Sequence, residues 1–402
     1  MNPEESIEEL LGLMVEAKAS DLFIKVGSPP VVRVAGRLVN LQSEKWKERR
    51  LTPQETESFA YSVMNEKQRK NFEEKMEQDL AYSASGLGRF RINIFRQRNS
   101  IAMALRLVPF NIPPFEDLNL PEVIRELAET ERGIIIVTGV TGSGKSTTLA
   151  SMVDHINKQR RCHIVTVEDP IEFLHRDALS IINQREVEMD TLSFNDALIH
   201  VVRQNPDVIM VGEMRDITSL QAALSAAETG HFVLTTMHTL DATQTLERII
   251  NFFPPYQHNQ IRMQLVLCLK AIISLRLLPR CDIEGRVPGC EVLVVTPFIR
   301  KLIEENKISQ IPSAIADGGF YGMQTFNQSL IGLYQRGMVS YDDALSASTN
   351  PEEFKLNIRG IYSGKDVIME EYVPKEEEVS TKEEPSQKAP SSILRTKDQF
   401  SF

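Results

Sequence analysis

The sequence has only four cysteines, Cys162, Cys268, Cys281 and Cys290, and no CxxC pair. That leaves no framework for a disulfide scaffold, and scattered free thiols fit a reducing compartment. The spacing of Cys281 and Cys290 would suit a disulfide or half a metal site, but unpaired thiols are expected. Positive charge is also short: 45 Lys and Arg stand against 55 Asp and Glu, a formal net charge of -10. A broad nucleic-acid-binding surface is therefore not expected. The N-terminus, MNPEESIEELLGLM, carries acids where an export signal carries bases, so the chain is expected to stay in the cytoplasm. Long hydrophobic runs are missing too. The longest apolar helical candidate, IRMQLVLCLKAIISLRLL, is interrupted by Arg262, Lys270 and Arg276. A membrane span needs about 20 mostly apolar residues, so this segment reads as a core or interface helix. There is no internal repeat.

What is present is ordinary for a globular protein: 42% hydrophobic and 25% charged residues over 402 positions, enough for two or more domains. Residues 4–19 have helical apolar spacing. SDLFIKVGSPPVVRVAGRLVNL then reads as a strand, a turn and two further strands. Thr52 and Pro53 form an N-cap and N1 pair that starts a helix. A charged helix over residues 65–77 follows, then GRFRINIFRQR and SIAMALRLV alternate as antiparallel strands. This is a small α+β unit, assigned to residues 1–112. VPFNIPPFEDLNLP is a proline-rich connector with the domain boundary inside residues 109–117. From residue 133 the pattern becomes α/β: GIIIVTG, HIVTVED, DVIMVGE and HFVLTTMH are apolar runs separated by helical stretches, which predicts a largely parallel sheet. Helices dominate beyond about residue 255 apart from a hairpin near Arg280 to Val295. The core is assigned to residues 113–372, and residues 373–402, rich in Glu, Lys, Ser and Pro, are expected to be disordered.

GVTGSGKS, Gly139 to Ser146, matches the phosphate-binding pattern G-x-x-x-x-G-K-[ST] between an apolar strand and a helix. Gly139, Val140, Thr141, Gly142, Ser143 and Gly144 would wrap phosphate with backbone N–H groups, and the helix N-terminus adds a favourable dipole. Lys145 would hold the β- and γ-phosphates of ATP and Ser146 would ligate Mg²⁺, with Thr147 in the same turn. In NPDVIMVGEMRD, a buried strand ends at Gly212-Glu213. A carboxylate there can position Mg²⁺ through water or polarise the attacking water. VTVEDPIEF places Glu168 and Asp169 at another strand end, where Pro170 turns the chain. Parallel sheets gather functional groups at the carboxyl ends of strands, so Glu168 and Glu213 are expected to face one γ-phosphate.

HFVLTTMHT carries a histidine at each end. His238 closes a strand at the rim expected to hold Glu168 and Glu213. No second His or Cys stands at ligand spacing, which argues against zinc. Hydrogen bonding to the γ-phosphate or to Glu213 is the favoured reading for His238, with His231 a less certain companion in nucleotide binding.

In this order, GVTGSGKS, VEDPIEF, VGEMRD and GHFVLTTMHT resemble the phosphate loop, Asp box, Walker B and His box of the secretion-ATPase superfamily. The resemblance extends to the PilT/PilU-type retraction ATPases of type IV pili through SDLFIKVGSPP, GRFRINIFRQR, NQREV, TPFIRKLIEE and GMQTF, covering roughly residues 15–360. FLHR, FRQR, RIINFFP and EEFKLNIRG are more similar to the PilU side, and Phe298 stands where the TPAIR-type motif of PilT has a small residue. The resemblance implies a RecA-like P-loop ATPase core with a smaller PAS-like N-terminal domain, and Arg91 and Arg106 as phosphate-sensing arginines. It also implies a hexameric ring acting with a PilT-type motor and an inner-membrane platform protein, peripheral to the inner membrane. A nucleotide-binding accessory subunit without its own motor activity is the alternative.

Overall fold

The computed structural model describes residues 3–34, 36–109 and 111–360. The expected tail, 373–402, and the last part of the expected core, 361–372, lie outside the described residues. Short alternating segments in the first hundred residues pair into an antiparallel sheet. β1 (Asp21–Ile24), β2 (Val31–Val34), β3 (Arg37–Asn40), β4 (Glu77–Ala84), β5 (Gly88–Gln97) and β6 (Ser100–Val108) run in the order β3-β2-β1-β6-β5-β4. Helices Pro3–Glu16, Pro53–Val63 and Glu66–Lys75 accompany it. Thr52 caps the second as expected: its hydroxyl accepts from Glu55 N at 3.3 Å, and the Glu55 carboxylate accepts from Thr52 N at 2.8 Å. Such reciprocal caps stabilise a helix start by about 1 kcal/mol. A first core, with Trp46, Phe72 and Phe90 among its largest members, is buried here. β4 was not anticipated; it occupies EQDLAYSA, where only alternate residues such as Gln78 and Leu80 are buried.

The second sheet contains β7 (Gly133–Thr138), β8 (His163–Glu168), β9 (Ile181–Glu186), β10 (Val208–Val211), β11 (Phe232–Met237), β12 (Leu269–Pro279) and β13 (Arg286–Val294). Their order is β13-β12-β7-β11-β10-β8-β9, parallel throughout except that β13 runs antiparallel to β12. Helices cover both faces, which explains the continuous apolar runs. Along β7, Ile134 and Ile136 enter one core while Ile135 and Val137 enter the other. β10 repeats this with Ile209 and Val211 on one side and Val208 and Met210 on the other.

One expectation is corrected here. IRMQLVLCLKAIISLRLL is not a single helix: the helix His258–Cys268 stops and β12 begins at Leu269. β12 is hydrogen-bonded on both edges, to β7 and to β13, and its neighbours Ile272 and Ile273 fill opposite layers. Alternate burial on two faces needs the period of a strand, and a continuous apolar run does not reveal that period. The expected hairpin near Arg280 to Val295 is correspondingly longer, starting at Leu269.

The proline-rich stretch leads from the end of β6 at Val108 to Phe115, which packs in the second core edge-to-face on His155, with ring centroids 5.5 Å apart. The two sheets also touch directly. Arg89 Nη2 on β5 donates to Glu186 Oε2 on β9 at 2.9 Å. All four cysteines are free thiols. Among the described residues, no helix is long and apolar enough to cross a membrane.

Candidate active site

Because β7, β8, β10 and β11 are parallel, their carboxyl ends share one rim. There a cleft of about 570 Å³ is lined by the Thr141–Thr147 loop together with Glu168, Glu213 and His238. The loop depends on its glycines. Gly139 has φ +142°, and a Cβ there would lie 2.5 Å from the Leu275 carbonyl and 2.5 Å from Ser143 Oγ. Gly144 has φ +99° and caps the 15-residue helix Lys145–Gln159, so the free N–H groups of that helix point at the cleft.

Lys145 is buried and its Nζ donates to the carbonyls of Gly139 at 2.8 Å and Val140 at 3.0 Å. Burial lowers its pKa, opposed by the charges of Glu213 and Glu172. Ser143 Oγ is buried with no hydrogen-bond partner among the described residues. An orphaned donor, a curled lysine and a helix N-terminus in one loop fit a polyphosphate. The oxygen donors Ser146 and Glu213 line the same cleft, and such donors suit Mg²⁺.

Opposite the loop stand the two glutamates. Glu168, at the end of β8, is 7% exposed. Its Oε1 accepts from Thr166 Oγ1 at 2.7 Å and from Gln184 Nε2 at 3.0 Å, and its Oε2 accepts from the Glu172 N–H at 3.4 Å. Burial pushes its carboxyl up to about 6 against those hydrogen bonds. Glu213 is more open and doubly tied: Oε2 accepts from Arg215 Nε at 2.8 Å, and Oε1 lies 3.2 Å from His238 Nε2. Arg215 also reaches Asp169 Oδ2 at 3.7 Å. Thr236 Oγ1 donates to the Gly212 carbonyl at 2.6 Å, pinning the Walker-B-like turn to β11.

Not every expected residue joins the cleft. His231 precedes β11 and lies at the opposite rim, because six residues of strand span about 20 Å. Its Nδ1 sits 3.0 Å from the Ala226 carbonyl and 3.2 Å from Thr229 Oγ1, closing the end of the helix Ile217–Glu228. The expectation that it binds nucleotide in this cleft is corrected. Arg91 and Arg106 face each other across the β5–β6 ladder and line a neighbouring cleft of about 1170 Å³. Asp169 and Pro170 border both clefts. Arg106 Nε binds Asp21 Oδ1 at 2.8 Å, and Arg33 Nε binds Asp21 Oδ2 at 3.2 Å. Against the desolvation of burial, hydrogen bonds from Ser20 and Arg106 and these two cations hold the Asp21 carboxyl below its ordinary range.

Residues without an assigned role in the sequence also appear: Thr166, Gln184, Arg215 and Arg286. Thr166 was readable in principle, since a strand places residues two apart on one face. Beneath the loop, Thr138 Oγ1 donates to Ser274 Oγ at 3.0 Å, and Glu291 Oε1 accepts from the Ala242 N–H at 2.8 Å. Burial pushes the Glu291 carboxyl up to about 7, from 4.5. A carboxyl raised in the folded state contributes stability that is present below its unfolded pKa and lost as pH rises through its folded one. Glu291→Gln is therefore expected to stabilise the protein at pH 8, by on the order of 2 kcal/mol. At pH 4 the gain should nearly vanish, and melting temperatures measured at both values check it.

Comparison with known proteins follows the same lines. Residues 104–322 match the family described as type II/IV secretion system protein. The chain is 44% identical over 352 residues to the type IV pilus ATPase PilU of Pseudomonas aeruginosa, spanning 88% of this chain and 91% of that one. To the type IV pilus retractation ATPase PilT of the same organism it is 42% identical over 350 residues, 87% and 99% of the two chains. The crystal structure of the pilus retraction motor PilT with bound ADP superposes with a TM-score of 0.79 at 46% identity, covering 88% of this chain and 98% of that one.

Proposed function

The chain belongs to the PilT/PilU branch of the type II/IV secretion ATPases and is an ATPase, and from that premise we propose that it drives type IV pilus retraction. It works in PilU fashion beside a PilT-type motor, as a hexameric ring on the cytoplasmic side of an inner-membrane platform protein. The observation that carries this reading is the gathering of the phosphate loop, Glu168, Glu213 and His238 at one rim of a parallel sheet.

ATP is the substrate. Backbone N–H groups of residues 139–144 and the Lys145 ammonium bind its phosphates, Lys145 giving up its carbonyl contacts to do so. Ser146 and Glu213 would hold Mg²⁺, which would neutralise charge on the transferring phosphates. Glu168 takes the proton of the attacking water; its carboxyl near 6 is ionised at neutral pH yet basic enough to accept. His238 and Arg215, now tied to Glu213, exchange that partner for the γ-phosphate and report its loss. Arg91 and Arg106 complete the sensing from the N-terminal unit, residues 1–112, which rotates about the proline-rich connector.

Pilus retraction is to be measured in cells lacking this gene, with and without a PilT-type partner, and in cells carrying a hydrolysis-dead variant. Equal defects in the deletion and the hydrolysis-dead strain are expected of a motor. Near-normal retraction with the hydrolysis-dead chain would establish the accessory reading instead. ATP hydrolysis unchanged by added DNA is expected, and stimulation by DNA would count against a pilus motor.

A further inference from the structure

Glu168 cannot orient itself. A glutamate at the end of a strand has three side-chain rotations, and a base must present one lone pair to one water. Two of the hydrogen bonds that hold it come from its own segment, from Thr166 on the same face of β8 and from the Glu172 N–H after the turn. The third comes from a different strand. Gln184 lies opposite Thr166 in the β8–β9 register, and its Nε2 donates to Glu168 Oε1 at 3.0 Å. The same Nε2 donates to the Phe173 carbonyl at 2.9 Å, while Oε1 accepts from the His175 N–H at 2.9 Å. The amide has only one satisfactory orientation, because its nitrogen faces two acceptors and its oxygen faces a donor.

One side chain therefore clamps the glutamate and the loop that follows it. We propose that Gln184 is a positioning residue for hydrolysis, fixing the Glu168 carboxylate as the base and keeping it ionised by donating to its charged form. Glu168→Gln tests a different claim, that Glu168 is the base at all, and the present inference rests on that reading. The mechanism here is charge-specific. A hydrogen bond to a carboxylate favours ionisation, so losing it leaves burial to act with less opposition. Of the other titratable and charged groups near Glu168, Asp169 comes next in the chain and is reached by Arg215 at 3.7 Å. Glu172 follows in the same loop and raises the Glu168 pKa further. Glu186 on β9 is paired with Arg89. Across the cleft, Glu213 is held by Arg215 and His238, and Lys145 stands in the phosphate loop. Burial keeps His175 neutral, its pKa lowered to about 4. Changing Gln184 removes its contacts to Glu168, Phe173 and His175 but none of those made by Glu186 or Glu213.

The test is the pH profile of ATP turnover for the full chain and for Gln184→Met and Gln184→Glu. A base acts only when ionised, so the rate falls as pH drops through its pKa; raising that pKa moves the acid limb to higher pH. Gln184→Met should shift the limb upward by up to about one unit. A shift of that size makes the loss of rate about threefold larger at pH 6.5 than at pH 8.5, where only the lost orientation of the carboxylate is felt. Gln184→Glu, close in shape but adding a like charge, should shift it further. Binding of a fluorescent ADP analogue should stay within about twofold of the parent, since Gln184 does not touch the phosphate loop. A rate lowered by the same factor at every pH, or loss of ADP-analogue binding in both variants, would show that Gln184 serves the fold alone and would overturn the proposal. Failure of the underlying reading looks different: Glu168→Gln would keep its turnover, and the parent would show no acid limb near pH 6.

Discussion

Lys145→Ala should lower ATP turnover by about 10²–10³-fold, and affinity for ATP by about 10–10²-fold besides. The first figure is what loss of one preorganised charged donor to a transferring phosphoryl group costs. The second is the usual worth of a charge-assisted hydrogen bond of about 1.5–3 kcal/mol. The fold should survive, because among the described residues Nζ binds only the carbonyls of Gly139 and Val140, which water can reach once the side chain is gone. Burial also depresses the Lys145 pKa, so removing the ammonium relieves a desolvated charge. A preserved melting temperature without nucleotide, together with lost stabilisation by added ATP, is the expected pair of results. If hydrolysis persists within tenfold of the parent, the GVTGSGKS loop does not carry the phosphate chemistry.

Much of this site was legible because its signals are local. Gly139 to Ser146 lies between an apolar strand and a helix, and the φ values of Gly139 and Gly144 are positive as a phosphate loop requires. The β7, β8, β10 and β11 runs announced themselves because both faces are buried, and their order placed Glu168, Glu213 and His238 at one rim. What stayed hidden depends on register or on distance through space. Gln184 meets Glu168 only because β9 pairs with β8 in one of several possible alignments, and a sequence does not print that alignment. His231 and His238 look alike on the page, yet the length of β11 sets them at opposite rims of the sheet. Leu269–Pro279 looked helical because an apolar run buried on all sides fits either period. The charged, half-exposed β4 had too little apolar alternation to register at all.

Glu168→Gln should lower turnover by about 10²–10⁴-fold while leaving ATP affinity nearly intact, the range expected for losing a general base. The choice between the two rim glutamates follows from their surroundings. Glu213 has both oxygens engaged, one with Arg215 and one with His238, which suits a residue that positions Mg²⁺ through water and senses the phosphate. Glu168 sits deeper, keeps its charge through neutral donors, and has its carboxyl pushed up to about 6 by burial. A base near 6 is ionised at pH 7.5 and still strong enough to share a proton in the transition state, and the amide that replaces it cannot. Glutamine keeps the shape and can still accept from Thr166, so the loss reports chemistry rather than collapse. Glu213→Gln makes the contrast: its main effect should be a raised Mg²⁺ requirement, with turnover partly restored at high Mg²⁺. Should Glu213→Gln abolish turnover at every Mg²⁺ concentration while Glu168→Gln turns over normally, the two roles are reversed and the water is activated from β10 rather than β8.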